Sequence, residues 1–117
     1  MSQKIEVFNK MLLDTVSFLM NKFPEDKDIS YTQYQIEIAN STSPRLTFDT
    51  VMEYIPLYSK EITNQDENFF LNLSKQEDSL KCFNLHDKWA QLLDTEKEYL
   101  FIQFRKMLTL GNIIKQE

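Results

Sequence analysis

The stretch CFNLHDKWAQ, residues 82–91, carries the chain's one cysteine, one histidine and one tryptophan, with Asp87 next to His86. Thiol, imidazole and carboxylate are the parts of a cysteine nucleophile, its base and the group that orients the base. On a helix running unbroken through this stretch, Cys82 and His86 stand at i and i+4 and face the same way. Asp87 then points about 100° from His86 and is badly placed to orient it. Asn84 is also a good N-cap with Asp87 three residues on, a pattern that starts a helix at Asn84 and leaves Cys82 outside it. Cysteine triads gather their members from separate elements into a cleft that excludes water, not from a single turn. Cys82 therefore reads as a small buried hydrophobe. The same pair as a metal site lacks further Cys or His ligands and would need carboxylates such as Asp78 and Asp87 to complete it. The acidic clusters at Glu25, Asp26, Asp28 and at Asp66, Glu67 lack the glycine and the ligand alternation of a calcium loop, and read as helix caps. No catalytic, cofactor-binding or metal-binding residue is assigned, and the expectation is a non-enzymatic protein without a cofactor.

Trp89 differs in kind. With Leu85, Leu92 and Leu93 it falls on a helical apolar stripe, which makes it a core anchor; the competing role is an interface hot spot, where tryptophan is enriched. Phe69 and Phe70, with Leu71, form an aromatic knot inside the polar connection NQDENFFLNLSKQEDS, residues 64–79. The candidate protein-contact residues are thus Phe69, Phe70 and Trp89.

The elements that must position these residues follow from spacing. Ile5, Phe8, Leu12, Val16, Leu19 and Phe23 recur every three or four residues, so a first helix is expected from Ser2 to about Lys22, stopped by Pro24. Asp26 or Asp28 is the expected cap of a second helix through ISYTQYQIEIANST, on which Tyr31, Tyr34 and Ile38 share a face. Alternating Ile36 and Ile38 leave a strand as the other reading for residues 29–40. Ser43 before Pro44 starts a third helix, whose stripe Phe48, Val51, Met52, Ile55 continues in phase through Tyr58 and Ile62. Pro56 inside that run removes the amide that would bond the carbonyl of Met52, so a kink or break is expected there. A helix around residues 80–93 and another from about 95 to 110 complete the chain. In the last, Thr95 and Glu98 read as a capping box, and Leu100, Phe104, Met107 and Leu108 as the inward stripe. Arg105 and Lys106 complement the helix dipole, and Gly111 stands where a left-handed C-cap would be. The tail NIIKQE packs by its isoleucines or frays.

Composition bounds the rest. The chain has 117 residues, 42% hydrophobic and 13% aromatic, enough for one domain with a real core. Its net charge of −5 argues against the electrostatic footprint of a nucleic-acid binder. A single glycine rules out phosphate-cradling loops, and the single cysteine permits no internal disulfide. The early apolar run MLLDTVSFLM is broken by Asp14 and lacks a basic flank and cleavage site, so neither a signal peptide nor a membrane span is expected. The fold class is all-α, a compact bundle of about five helices in one domain.

Three stretches also carry a resemblance: FNKMLLDTVSFLMNKFPEDKDI, then NQDENFFLN, then NLHDKWAQLLDTEKEYLFIQFRKMLTLGN. In this order they resemble small uncharacterised helical proteins that recur in giant DNA viruses of protists and algae. In that group an amphipathic first helix ends in a Phe-Pro-acidic turn, a Phe-Phe connection follows, and then come a Trp helix and an aromatic-rich last helix ending in Leu-Gly-Asn. The resemblance implies a helical protein of the infected host cytoplasm or the virion, neither secreted nor transmembrane, and brings no activity with it. The function expected is contact with a protein partner of unknown identity. The alternative is a nucleic-acid-associated factor in viral transcription or genome packaging, for which Lys60, Lys75, Lys81, Lys88, Arg105, Lys106 and Lys115 would have to converge.

Overall fold

Helix α1, Gln3–Lys22, turns its expected stripe inward: Ile5, Phe8, Leu12, Val16 and Leu19 are all buried in the computed structural model, which describes residues 3–53, 55–65 and 88–117. The helix ends at Lys22, two residues ahead of Pro24, and the amide of Phe23 still reaches the carbonyl of Leu19 at 2.8 Å. Asp26 then caps α2, Lys27–Thr42, its Oδ1 accepting from the amides of Asp28 at 3.0 Å and Ile29 at 3.1 Å. Residues 29–40 are helix. No strand occurs among the described residues.

Ser43 ends one helix and begins the next. Its amide donates to Ala39 while Pro44 occupies the first position of α3, Pro44–Met52, where a missing amide is harmless. The buried side chain of Asn9 holds this corner onto α1 by donating to the carbonyl of Pro44 at 3.0 Å. The expected break is present. α3 stops at Met52, the residue whose carbonyl Pro56 cannot bond, and a 3-10 turn, Ile55–Tyr58, leads into the single turn of α4, Ser59–Thr63.

The last helix, α5, Asp94–Lys115, lies antiparallel to α1. Lys4 pairs with Glu117 at one end and Lys22 with Glu96 at 3.2 Å at the other. Between them the Gln103 amide donates to the Thr15 hydroxyl at 3.2 Å, and that hydroxyl donates to the carbonyl of Met11 at 2.8 Å, so both buried polar groups are satisfied. Leu100, Phe104, Met107 and Leu108 are buried as expected, joined by Phe101, Gly111 and Ile114. Phe8 and Phe48 meet edge to face at 4.8 Å, tying α1 to α3. The result is an all-α bundle around α1, with five α-helical segments and two 3-10 turns among the described residues.

Three expectations about the C-terminal third are corrected. The region around Trp89 is not α-helix to residue 93: Trp89–Gln91 is a 3-10 turn, and Leu92 and Leu93 leave it with ψ of 146° and 158°. Extended backbone alternates its side chains, so Leu92 is buried while Leu93, expected on the buried stripe, is 62% exposed. The Thr95–Glu98 capping box is also displaced. The cap falls two residues earlier, at Leu93, and the Glu96 carboxylate accepts from the amide of Leu93 at 2.8 Å. Finally, Gly111 is no C-cap. The helix runs through it to Lys115, with Ile114 buried, and no glycine has a positive φ. Its missing Cβ instead lets Met52 of α3 lie against the α5 backbone: a Cβ there would fall 2.6 Å from the methionine methyl and closer still to its sulfur.

Candidate functional site

Most residues first considered for chemistry fall outside the described residues: Cys82, His86 and Asp87, with Asp78 and Asn84, and also Phe69 and Phe70. Trp89 is described and is 0% exposed, its ring meeting Phe101 edge to face at 5.3 Å. It is therefore a core anchor and presents no surface of its own to a partner. Among the described residues no group of three or more His, Cys, Asp or Glu is placed to hold a metal ion. No helix among them is long and apolar enough to cross a membrane.

Glu96 and Tyr99 are displaced from their usual values, both away from neutrality. The Leu93 amide, helped by Lys22, holds the Glu96 carboxyl below 4.5 against the opposing effect of burial. Burial, and then the nearby charge of Asp14, push the Tyr99 phenol above 10.0. Acid-base chemistry at neutral pH uses the opposite displacements, a carboxyl raised or a phenol lowered.

Besides exposing Leu46, Leu57 and Leu93, the described residues leave apolar side chains uncovered along two helix faces. The first is on α2. Ile29 and Thr32 are buried and Ile36 packs against the core, so Tyr31, Tyr34 and Ile38 turn outward, 60%, 59% and 46% exposed. Thr32 is admitted to the core because its hydroxyl donates to the carbonyl of Asp28 at 2.8 Å, and Gln33 anchors the same side to Ser17 at 2.8 Å. The sequence shows that the three outward residues share a face; it does not show that this face is the outer one.

The second place is a groove of about 490 Å³ between α1 and α5. Met11 of α1 and Ile102, Leu110 and Ile113 of α5 supply apolar walls, and Arg105 and Lys106 stand among them. Because α5 continues past Gly111, these two cations are mid-helix and do not serve the helix dipole; Lys115 holds that place. Neither makes an ion pair among the described residues. Lys4, Lys10, Lys22, Arg45 and Lys88, by contrast, each face a carboxylate.

The cations that a nucleic-acid surface would require are not all available to it. Lys88 lies 3.8 Å from Asp26 and over the ring of Phe23, and Lys75 and Lys81 lie outside the described residues. No protein family, curated protein or solved structure matches the chain.

Proposed function

We propose that this chain is a non-enzymatic helical module that acts by contact with a protein partner. The observation that carries the reading is the outer face of α2, where Tyr31, Tyr34 and Ile38 stand at i, i+3 and i+7 and remain 46–60% exposed. Single exposed apolar residues are ordinary on any protein, but aromatic and β-branched side chains aligned along two turns of one helix are the layout of a partner-binding face. On the resemblance drawn from the sequence, the proposed place of action is the infected host cytoplasm or the virion.

The test is comparative capture from source-cell extracts, with the wild-type chain and a Tyr31→Lys/Tyr34→Lys variant as baits. Both substituted residues are exposed, so circular dichroism and melting temperature should stay close to wild type. The reading expects at least one protein retained by the wild type and lost with the variant. Identical retention by both baits, or no protein retained by either, overturns it.

A further inference from the structure

The groove between α1 and α5 has a shape and a charge that together specify an occupant. Its α5 wall runs from Ile102 to Ile113 along one helical stripe, about three turns or roughly 16 Å at the ordinary helical rise. The opposite wall is α1, antiparallel, with Met11 in the groove and Val7, 52% exposed, one turn before it. Two antiparallel helices with an open seam offer the packing surface that a third helix uses in a bundle, ridges seated between ridges. Met11 and Leu110 are part-buried against the core, and Ile113 is 44% exposed, so among the described residues the apolar lining is left open at Ile113.

Charge selects among helices. The chain as a whole carries −5, so its distant field repels an acidic partner, yet the groove lining contains two cations and no carboxylate. At physiological salt a surface charge is felt over about 8 Å, which leaves Arg105 and Lys106 to act on whatever lies in the groove. An anionic membrane is a poorer fit, since polybasic lipid sites gather about four to eight cations. We infer that the α1–α5 groove receives an amphipathic helix of about three turns from a partner protein, its apolar face seated on Met11, Leu110 and Ile113 and its carboxylates paired with Arg105 and Lys106. This assignment rests on the protein-contact reading but uses a different surface from the α2 face.

The experiment measures fluorescence anisotropy of two labelled designed helical peptides that share one leucine stripe, flanked by glutamates in one and by lysines in the other. The glutamate peptide should bind at least tenfold more tightly and weaken as salt rises. Arg105→Glu/Lys106→Glu should invert that preference, and Ile113→Asp should weaken binding of the glutamate peptide. The inference is overturned if the two peptides bind alike or neither binds, or if the preference survives charge reversal. It is equally overturned if sedimentation shows a self-associated protein that the groove variants dissociate, or if phosphatidylserine vesicles bind through Arg105 and Lys106 while the peptides do not. The α2 face is untouched by these substitutions. Peptide failure together with partner loss on Tyr31→Lys/Tyr34→Lys discards the groove and keeps the contact reading.

Discussion

Gly111→Ala is the most direct probe of how α5 meets α3. In a helix interior this substitution ordinarily stabilises by about 0.8–1 kcal/mol, because alanine has less backbone freedom to lose on folding. Here the new Cβ would fall 2.6 Å from the methyl of Met52 and closer still to its sulfur, the three atoms nearest to it all belonging to that side chain, and Met52 is itself 2% exposed. Displacing a buried thioether in a packed core costs about 1–3 kcal/mol, which exceeds or cancels the helical gain. Gly111→Ala should therefore leave stability unchanged or lower it by up to about 2 kcal/mol. Met52→Ala alone should cost about 2–5 kcal/mol from lost burial and the cavity left behind. In that background the three atoms nearest the added methyl are gone, and Gly111→Ala should stabilise by about 1 kcal/mol. The coupling, about 1–3 kcal/mol, is read from urea unfolding of the four proteins by circular dichroism, with the slope against denaturant checked for constancy. Stabilisation by about 1 kcal/mol in both backgrounds would show that Met52 does not lie on Gly111 and would refute the reasoning.

Two further substitutions test local features that position the bundle. Asp26→Ala removes the acceptor of two amides at the start of α2 and the partner of Lys88, and should cost about 0.5–2 kcal/mol in chemical denaturation, with Asp26→Asn recovering part of it. Glu96→Gln should cost about 0.5–1.5 kcal/mol at neutral pH, from a helix-end charge and a half-exposed ion pair. Its pH dependence has a definite sign. The folded Glu96 carboxyl sits below its usual 4.5, so its stabilisation is complete above that value and is lost as pH falls through the lower folded value. The stability gap between wild type and Glu96→Gln should therefore close on acidification, and a gap that stays constant down to strong acid would contradict the assignment.

The parts of the fold legible in the sequence are those decided locally. The α1 stripe, the Asp26 cap, Pro44 at a helix start and the break ahead of Pro56 each follow from residues within a few positions of one another. The misread parts depend on partners distant in the chain. Gly111 carries the ordinary signal of a C-cap, and only Met52, from another helix, reveals it as a contact point. On α2 two stripes compete, Ile29–Thr32–Ile36 and Tyr31–Tyr34–Ile38, and the second is the more apolar to the eye. The first wins because Thr32 bonds its own helix and Gln33 reaches Ser17, so its polar atoms enter without cost to hydrogen bonding. The bend at Leu92 and Leu93 was likewise hidden, since two adjacent leucines fit a helical stripe as well as an extended pair. The groove was beyond reach in principle, because Met11 and Ile113 come to line one groove only through the antiparallel packing of α1 and α5.

One boundary accounts for most of what differs at the candidate surface. A last helix stopping near residue 110 makes Gly111 a cap, Arg105 and Lys106 dipole partners, and Ile113 part of a tail. Extending the same helix to Lys115 puts the glycine in the interior and gives the dipole to Lys115. Arg105 and Lys106 then stand without an ion pair among the described residues, beside an isoleucine that is 44% exposed. The extension is held by contacts across the bundle, Ile114 in the core and Lys4 with Glu117 at the end, not by helix propensity near the glycine. The same tertiary contacts that prolong α5 therefore also create the groove. Substitutions that loosen this last turn, such as Ile114→Ala, should weaken peptide binding without touching a lining residue, and equal binding by that variant would separate the groove from the helix end.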